Sequence, residues 1–272
     1  MFIPSKQRQR LSTLFPGFVL GLLAFTAVPL SAQSESQTAV DVQITQQRQH
    51  LSASDPEERR DALMKLGSMR RPEASRAALV GLSDASPMVR AVATKAILSI
   101  GPAESVAALL PLINDKDEFV RRETAYSLGL THSRSATDSL IQLLLNDKED
   151  GVRAAAAVAL GDIADESSVV ALSTVLAPDS TGKRKRAKTE KNVFVLRAAA
   201  KSLGQIKSRA GVPALVATLS NEKMVDDVRR EAALALGSIG DPVAVPALRL
   251  ATSSGDPYLA QTAYQSLKKI AP

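Results

Sequence analysis

Three pairs of opposite charge stand six residues apart along this 272-residue chain: Asp84 and Arg90, Asp115 and Arg121, Asp147 and Arg153. Guanidinium groups at regular intervals can line up as an anion-binding row. They can equally be consumed inside the fold by planar, bidentate hydrogen bonding to carboxylates. Arg59 and Arg229 occupy the same slot with different acidic neighbours. A second concentration of charge, Lys183, Arg184, Lys185, Arg186 and Lys188, lies between Pro178 and Asn192 among Gly, Ser and Thr, with no apolar periodicity. Such a run makes an exposed loop able to engage a polyanion, an acidic partner or an anionic membrane surface. It reads as well as a solvated insertion, because surface loops accept extra length cheaply. It is not a phosphate loop: Arg184 stands where Ser or Thr is required, and the upstream Gly is missing.

Catalytic and metal chemistry find little to work with. There are no cysteines and only two histidines, His50 and His132, far apart in the chain. Disulfides and thiolate chemistry are therefore excluded, and no metal set or cofactor site can be assembled. Paired carboxylates such as Glu57-Glu58 and Asp226-Asp227 fall at expected helix starts, where they favour the helix dipole. No nucleophile, base and orienting group come together, so the expectation is a chain that is not an enzyme. Three Tyr, six Phe and no Trp offer few stacking platforms, which argues against specific nucleic-acid binding.

The elements that must position these residues repeat. A branched apolar residue, usually Arg, then a small residue and Leu-Gly or a relative recur seven times, most clearly in Val120-Arg121…Leu128-Gly129, Val152-Arg153…Leu160-Gly161 and Val228-Arg229…Leu236-Gly237. The anchoring apolar position falls at Leu66, Ile97, Leu128, Leu160, Leu203, Leu236 and Leu267, at intervals of 31, 31, 32, 43, 33 and 31 residues. A fixed period of that size marks a solenoid. Within a unit, positions such as Val228, Ala232, Leu236 and Ile239 form one apolar stripe at helical spacing. The second stripe position is Ala in six units and Thr124 in the other, so neighbouring helices can approach closely. A Gly after the anchoring Leu, or soon after it as in Ile239-Gly240, is expected to loosen the end of the first helix and permit a tight turn. Second helices follow over Arg71–Leu82, Gly101–Ile113, Ser135–Leu145, Glu166–Leu176, Arg209–Leu219 and from Asp241-Pro242 on, the last with an Asp cap and Pro in the first turn.

The phrase Asp-x-x-x-x-Val-Arg-x-x-Ala-x-x-x-Leu-Gly resembles the short HEAT-like repeat first associated with phycobilin lyases, across residues 55–270. The resemblance implies an armadillo-like, right-handed α-solenoid. The expected fold class is thus all-α, with six helix pairs and a terminal half-pair. It further implies that Asp and Arg stack into a ladder between repeats, and the regularity of Asp84, Arg90, Asp115, Arg121, Asp147, Arg153 and Arg229 suits such a structural role. The fifth unit departs, with Leu196 in the slot and Arg197 one place late, and the seventh has Ala260 there. Deoxyhypusine hydroxylases are HEAT-like metalloenzymes, but their repeated His-Glu pairs are absent.

Function then rests on placement and surface. Lys6, Arg8 and Arg10, the apolar run Phe18–Leu30 and Ser31-Ala32 read as a signal peptide over 1–32, cut after Ala32. If the cut fails, residues 11–30 are just long enough to anchor the chain in a bilayer. Either way the repeats are exported, periplasmic or secreted. Residues 33–54 form a polar tether or a capping helix, and 55–272 the repeat domain with its basic insertion at 178–192. Without residues 1–32 and 178–193 the body holds 25 basic and 26 acidic residues, so the basic pI belongs to two short segments. The expected activity is non-catalytic: a scaffold binding another protein along its concave, second-helix face. A lyase-like enzyme or lyase subunit is the alternative that the resemblance implies, and a polyanion or anionic-membrane binder the alternative that the basic loop implies.

Overall fold

The structure, a computed structural model, describes residues 30–177 and 191–271, with side chains from residue 38. Residues 1–40 and 41–272 are two separate units. The signal sequence and most of the basic insertion, including Lys183, Arg184, Lys185, Arg186 and Lys188, lie outside the described residues. The first helix, α1 (Leu30–His50), finishes in the second unit, where Ile44 and Gln47 are buried.

The second unit is an α-solenoid of stacked helix pairs. Its first helices are α2 (Pro56–Ser68), α4 (Pro87–Ala96), α6 (Glu118–Leu130), α8 (Asp150–Ile163), α10 (Val193–Ile206) and α12 (Asp226–Ile239). Each is followed by a shorter second helix: α3 (Pro72–Ala78), α5 (Pro102–Leu109), α7 (Thr137–Asn146), α9 (Val169–Leu176), α11 (Val212–Ser220) and α13 (Val245–Ala251). Most second helices are lengthened by a 3-10 turn at one end, such as Leu110–Asn114 after α5 or Pro242–Ala244 before α13. A further first helix, α14 (Pro257–Ile270), follows α13. First helices pack on first helices in chain order, α2 to α14, and α8 meets α10 as closely as any pair despite the 43-residue interval. The insertion therefore lengthens a connection without interrupting the stack.

Side-chain size explains the packing. The small stripe position, Ala62, Ala93, Thr124, Ala156, Ala199, Ala232 and Ala263, is fully buried in every unit. The anchors Leu66, Ile97, Leu128, Leu160, Leu203 and Leu236 are buried too, each worth about 1.5–3 kcal/mol relative to exposure. Leu267, the anchor of α14, is only half-buried. First helices start on side-chain caps where Asp55, Asp117, Asn192 and Asp256 accept from backbone amides of the first turn.

The glycine of the Leu-Gly step does something other than end the helix. α6, α8, α10 and α12 run one or two residues past Gly129, Gly161, Gly204 and Gly237. A Cβ on Gly129 would lie 2.8 Å from Ala159 Cα, and one on Gly204 the same distance from Ala235 Cα. The residue is small because the next first helix crosses there. The left-handed helix ends come later, at Ala164, Lys207 and Gly240, the last being the glycine after Ile239 expected at a helix end.

Candidate functional site

The arginines project from the first turn of successive first helices; Val89 and Val120 are buried just before Arg90 and Arg121, whereas the exposed Glu58 precedes Arg59. Nε of Arg90 donates to Oδ2 of Asp115 at 2.8 Å, and Nη2 to Oδ1 at 2.8 Å. Arg59 grips Asp84 at 2.7 and 2.8 Å, and Arg121 grips Asp147 at 2.7 and 3.0 Å, in the same bidentate manner. Each arginine thus reaches the carboxylate that follows its own second helix and opens the next repeat. The aspartate six residues upstream contributes something else: its backbone carbonyl. Nη1 of Arg90 donates to the carbonyl of Asp84, that of Arg121 to Asp115 and that of Arg153 to Asp147, at 2.8–2.9 Å. The rungs are 25 or 26 residues long, not six.

Each carboxylate is held from a second side. Oδ1 of Asp84, Asp115 and Asp147 accepts the amide of Ser86, Asp117 and Glu149, at the start of the next first helix. Arg59 holds the Asp84 carboxyl below the usual carboxylate range, against the opposing effect of burial. For Asp115 and Asp147, burial is the largest single influence and pushes upward. It is outweighed by the arginine's hydrogen bonds, the amide and the neighbouring positive charges, so both sit below the usual range.

The remaining slots differ. Arg153 donates to the Asp147 carbonyl and pairs with Asp150 on its own helix, and the residue 26 positions on, Asp179, lies outside the described residues. Leu196 is buried in the fifth slot, while the late Arg197 is half-exposed near Asp227 at 3.9 Å. Arg229 donates to the carbonyl of Leu219 at 3.0 Å and to Asp226 at 2.8 Å, and reaches no carboxylate of the next repeat. A second set of links joins the turns between first and second helices: Thr137 to Asp165, Ser208 to Glu166, and Arg209 to Asp241. Sequence reasoning missed these, and it missed the Arg59–Asp84 rung, although the 25-residue offset was there to be measured.

Beside the ladder, Arg122, Tyr126, Gly151, Ala154 and Phe194 border an open trough of about 530 Å³ where α6, α8 and α10 begin. Arg122 lies over the Phe119 ring, 4.9 Å from its centroid. His132 begins the turn after α6 with a positive φ, its Nδ1 2.8 Å from the carbonyl oxygen of Asp162. Among the described residues no three His, Cys, Asp or Glu side chains group as metal ligands, and no helix is long and apolar enough to cross a membrane.

No curated protein matches the chain. Among solved structures, the complex of CpcE and CpcF of phycocyanin lyase from Nostoc sp. PCC7120 is similar with a TM-score of 0.52 at 21% identity, over 84% of this chain and 94% of that one. An engineered protein reaches 0.51 at 22% identity, over 84% and 68%. Human deoxyhypusine hydroxylase in complex with glycerol scores 0.43 at 20% identity, over 89% and 91%, too low to support an argument. At these identities the likeness is one of fold. The family profile described as HEAT repeats matches residues 46–129, 107–190 and 184–268, nearly the whole repeat array. With its helix pairs stacked and its arginines bonded from repeat to repeat, the chain belongs to the HEAT-repeat family.

Proposed function

We propose that this protein is an exported, non-catalytic scaffold that binds another protein along the face of its second helices. The observation that carries this reading is how the surface divides. Charges of the ladder are spent inside the stack, whereas Val80, Val170 and Val243 of the second-helix segments are exposed. First helices expose apolar side chains too, Phe194 and Tyr258 among them, but the second-helix segments carry such residues from the first repeat to the sixth, and a row of that kind suits an extended partner. HEAT-repeat proteins commonly bind other proteins, which supports the same reading. Export is supported by the basic and apolar amino terminus, Lys6 to Ala32. Crosslinking in the native cell envelope should capture a partner, and Val170→Glu with Val243→Glu should lose it while leaving the thermal midpoint nearly unchanged. Measurable turnover by the pure protein with no captured partner would overturn the proposal.

The likeness to the phycocyanin lyase complex favours a second reading, a lyase or lyase subunit. Incubation with a bilin and an acceptor protein, followed by absorbance, decides it. The basic run Lys183–Arg186 supports a third, a polyanion or anionic-membrane contact. Changing those four residues to Ala should then weaken heparin or anionic-liposome retention and flatten its salt dependence.

A further inference from the structure

Two rung positions among the described residues hold no carboxylate, Asn221 and Ser254, and only the second answers to an arginine in the slot. Arg229 stands in the slot of Arg59, Arg90 and Arg121. The residue 25 positions on, where the first two rungs place Asp84 and Asp115, is Ser254. Its own hydrogen bond identifies it as the rung position. Oγ of Ser254 accepts the amide of Asp256, the cap of α14, at 3.2 Å, as the rung aspartates accept the amide two residues after them. A hydroxyl is shorter than a carboxylate and carries no charge. Arg229 accordingly turns to the Leu219 carbonyl through Nε and to Asp226 through Nη1, and its Nη2 donates to nothing among the described residues. In the fifth slot the arginine itself is replaced, by Leu196, so that repeat leaves no guanidinium short of a carboxylate.

The missing carboxylate leaves room. Arg229 and Ser254 line a groove of about 440 Å³ whose other walls include Leu219, Ala247, Leu250 and Ala251. The Arg229 side chain is 14% exposed, and Leu250 is 78% exposed at the rim. Asp226, the present partner of Nη1, is 46% exposed, so solvent weakens that pair.

We propose that this groove binds an aspartate side chain of a partner polypeptide, which completes the rung the chain leaves open. Rungs that are filled define the occupant. Asp84, Asp115 and Asp147 all present their carboxylate from extended backbone, with ψ of 149°, 142° and 140°. An extended segment carrying Asp would place a neighbouring apolar residue over Leu250 and Ala247. Glu222 also lines the groove, and with Asp226 it opposes added negative charge. One carboxylate in an otherwise neutral segment therefore fits, and a phosphate-rich polyanion does not. The proposal rests on the scaffold reading and names what the partner presents to it.

The probe is a labelled peptide, acetylated and amidated, with an Asp-Leu pair between Gly-Ser flanks, titrated by fluorescence polarisation against the full chain. Binding about tenfold tighter than for the Asn-Leu peptide is expected, the value of one charge-assisted contact. Arg229→Gln should erase that difference. Ser254→Asp should erase it too, by closing the rung in cis, and should raise Tm by about 2–4 °C. Equal affinity for the two peptides, or tight binding retained by Ser254→Asp, overturns the proposal. So does binding only by an Asn-Leu peptide with a free carboxyl terminus, which would assign the groove to chain ends. Partner capture undiminished by Arg229→Gln would remove the groove and leave the scaffold. Asp-dependent peptide binding without any captured partner would do the reverse.

Discussion

A carboxylate gripped by a guanidinium on one side and a backbone amide on the other has its acceptor sites committed. Asp147 is the strongest case: Oδ1 accepts from Glu149 and from Arg121 Nη2, Oδ2 accepts from Arg121 Nε, and only 6% of the side chain is exposed. An amide there would turn an N–H toward one of these donors. Asp147→Asn should therefore destabilise the array by about 3 kcal/mol, within the range for breaking a buried pair from one side. Asp84→Asn should cost less, since Asp84 and Arg59 are 12% and 15% exposed and water can replace part of what is lost. Urea unfolding of both variants checks the order. Equal costs would mean that the backbone amide, common to both sites, and not the guanidinium carries the rung.

At the scale of elements, what sets the spacing of the stack is how closely one first helix crosses the next. Gly129 should make this measurable. Alanine in a helix interior usually gains up to about 1 kcal/mol over glycine. At Gly129 the new methyl would meet Ala159 Cα and Cβ at 2.8 and 2.9 Å, so Gly129→Ala should instead destabilise by about 1–3 kcal/mol. Thermal denaturation distinguishes the signs. The same crossing shows what the sequence could and could not disclose. Helix pairs, their phase and the buried Ala positions were legible, because the Val-Ala-Leu stripe recurs with the repeat. The glycine was legible as small but was given the wrong job: its neighbour, Ala159, lies 30 residues away, and turn chemistry explains a Leu-Gly step as readily as a helix crossing does. Rung partners were hidden for a similar reason. The spacing of six is conspicuous, yet it joins an arginine to a carbonyl, whereas the carboxylate it grips lies one repeat further on. Ser254 had no signal of its own until the 25-residue offset was known.

For the whole molecule, the ladder's distribution sets how the array answers acid. Asp84, Asp115 and Asp147 are all held below the ordinary carboxylate range, so the unfolded chain takes up these protons first as pH falls. Their contribution to stability is complete above the unfolded value, roughly pH 4, and disappears as pH drops through the lower folded values. All three rungs join α2 to α8, while α10 to α14 show no rung of this kind among the described residues. Because each repeat touches only its neighbours, the stack can weaken in one part before another. Between pH 5 and pH 3, amide protection corrected for intrinsic exchange should therefore fall first in α2 through α8 and persist in α10 through α14. Uniform loss along the array would show that packing, not the ladder, governs acid stability. Ser254→Asp adds a rung at the far end, so it should bring acid sensitivity to α12 and α14 along with its added stability at neutral pH. That change would tie the acid response to the carboxylate itself, since the packing around residue 254 differs by a single side chain.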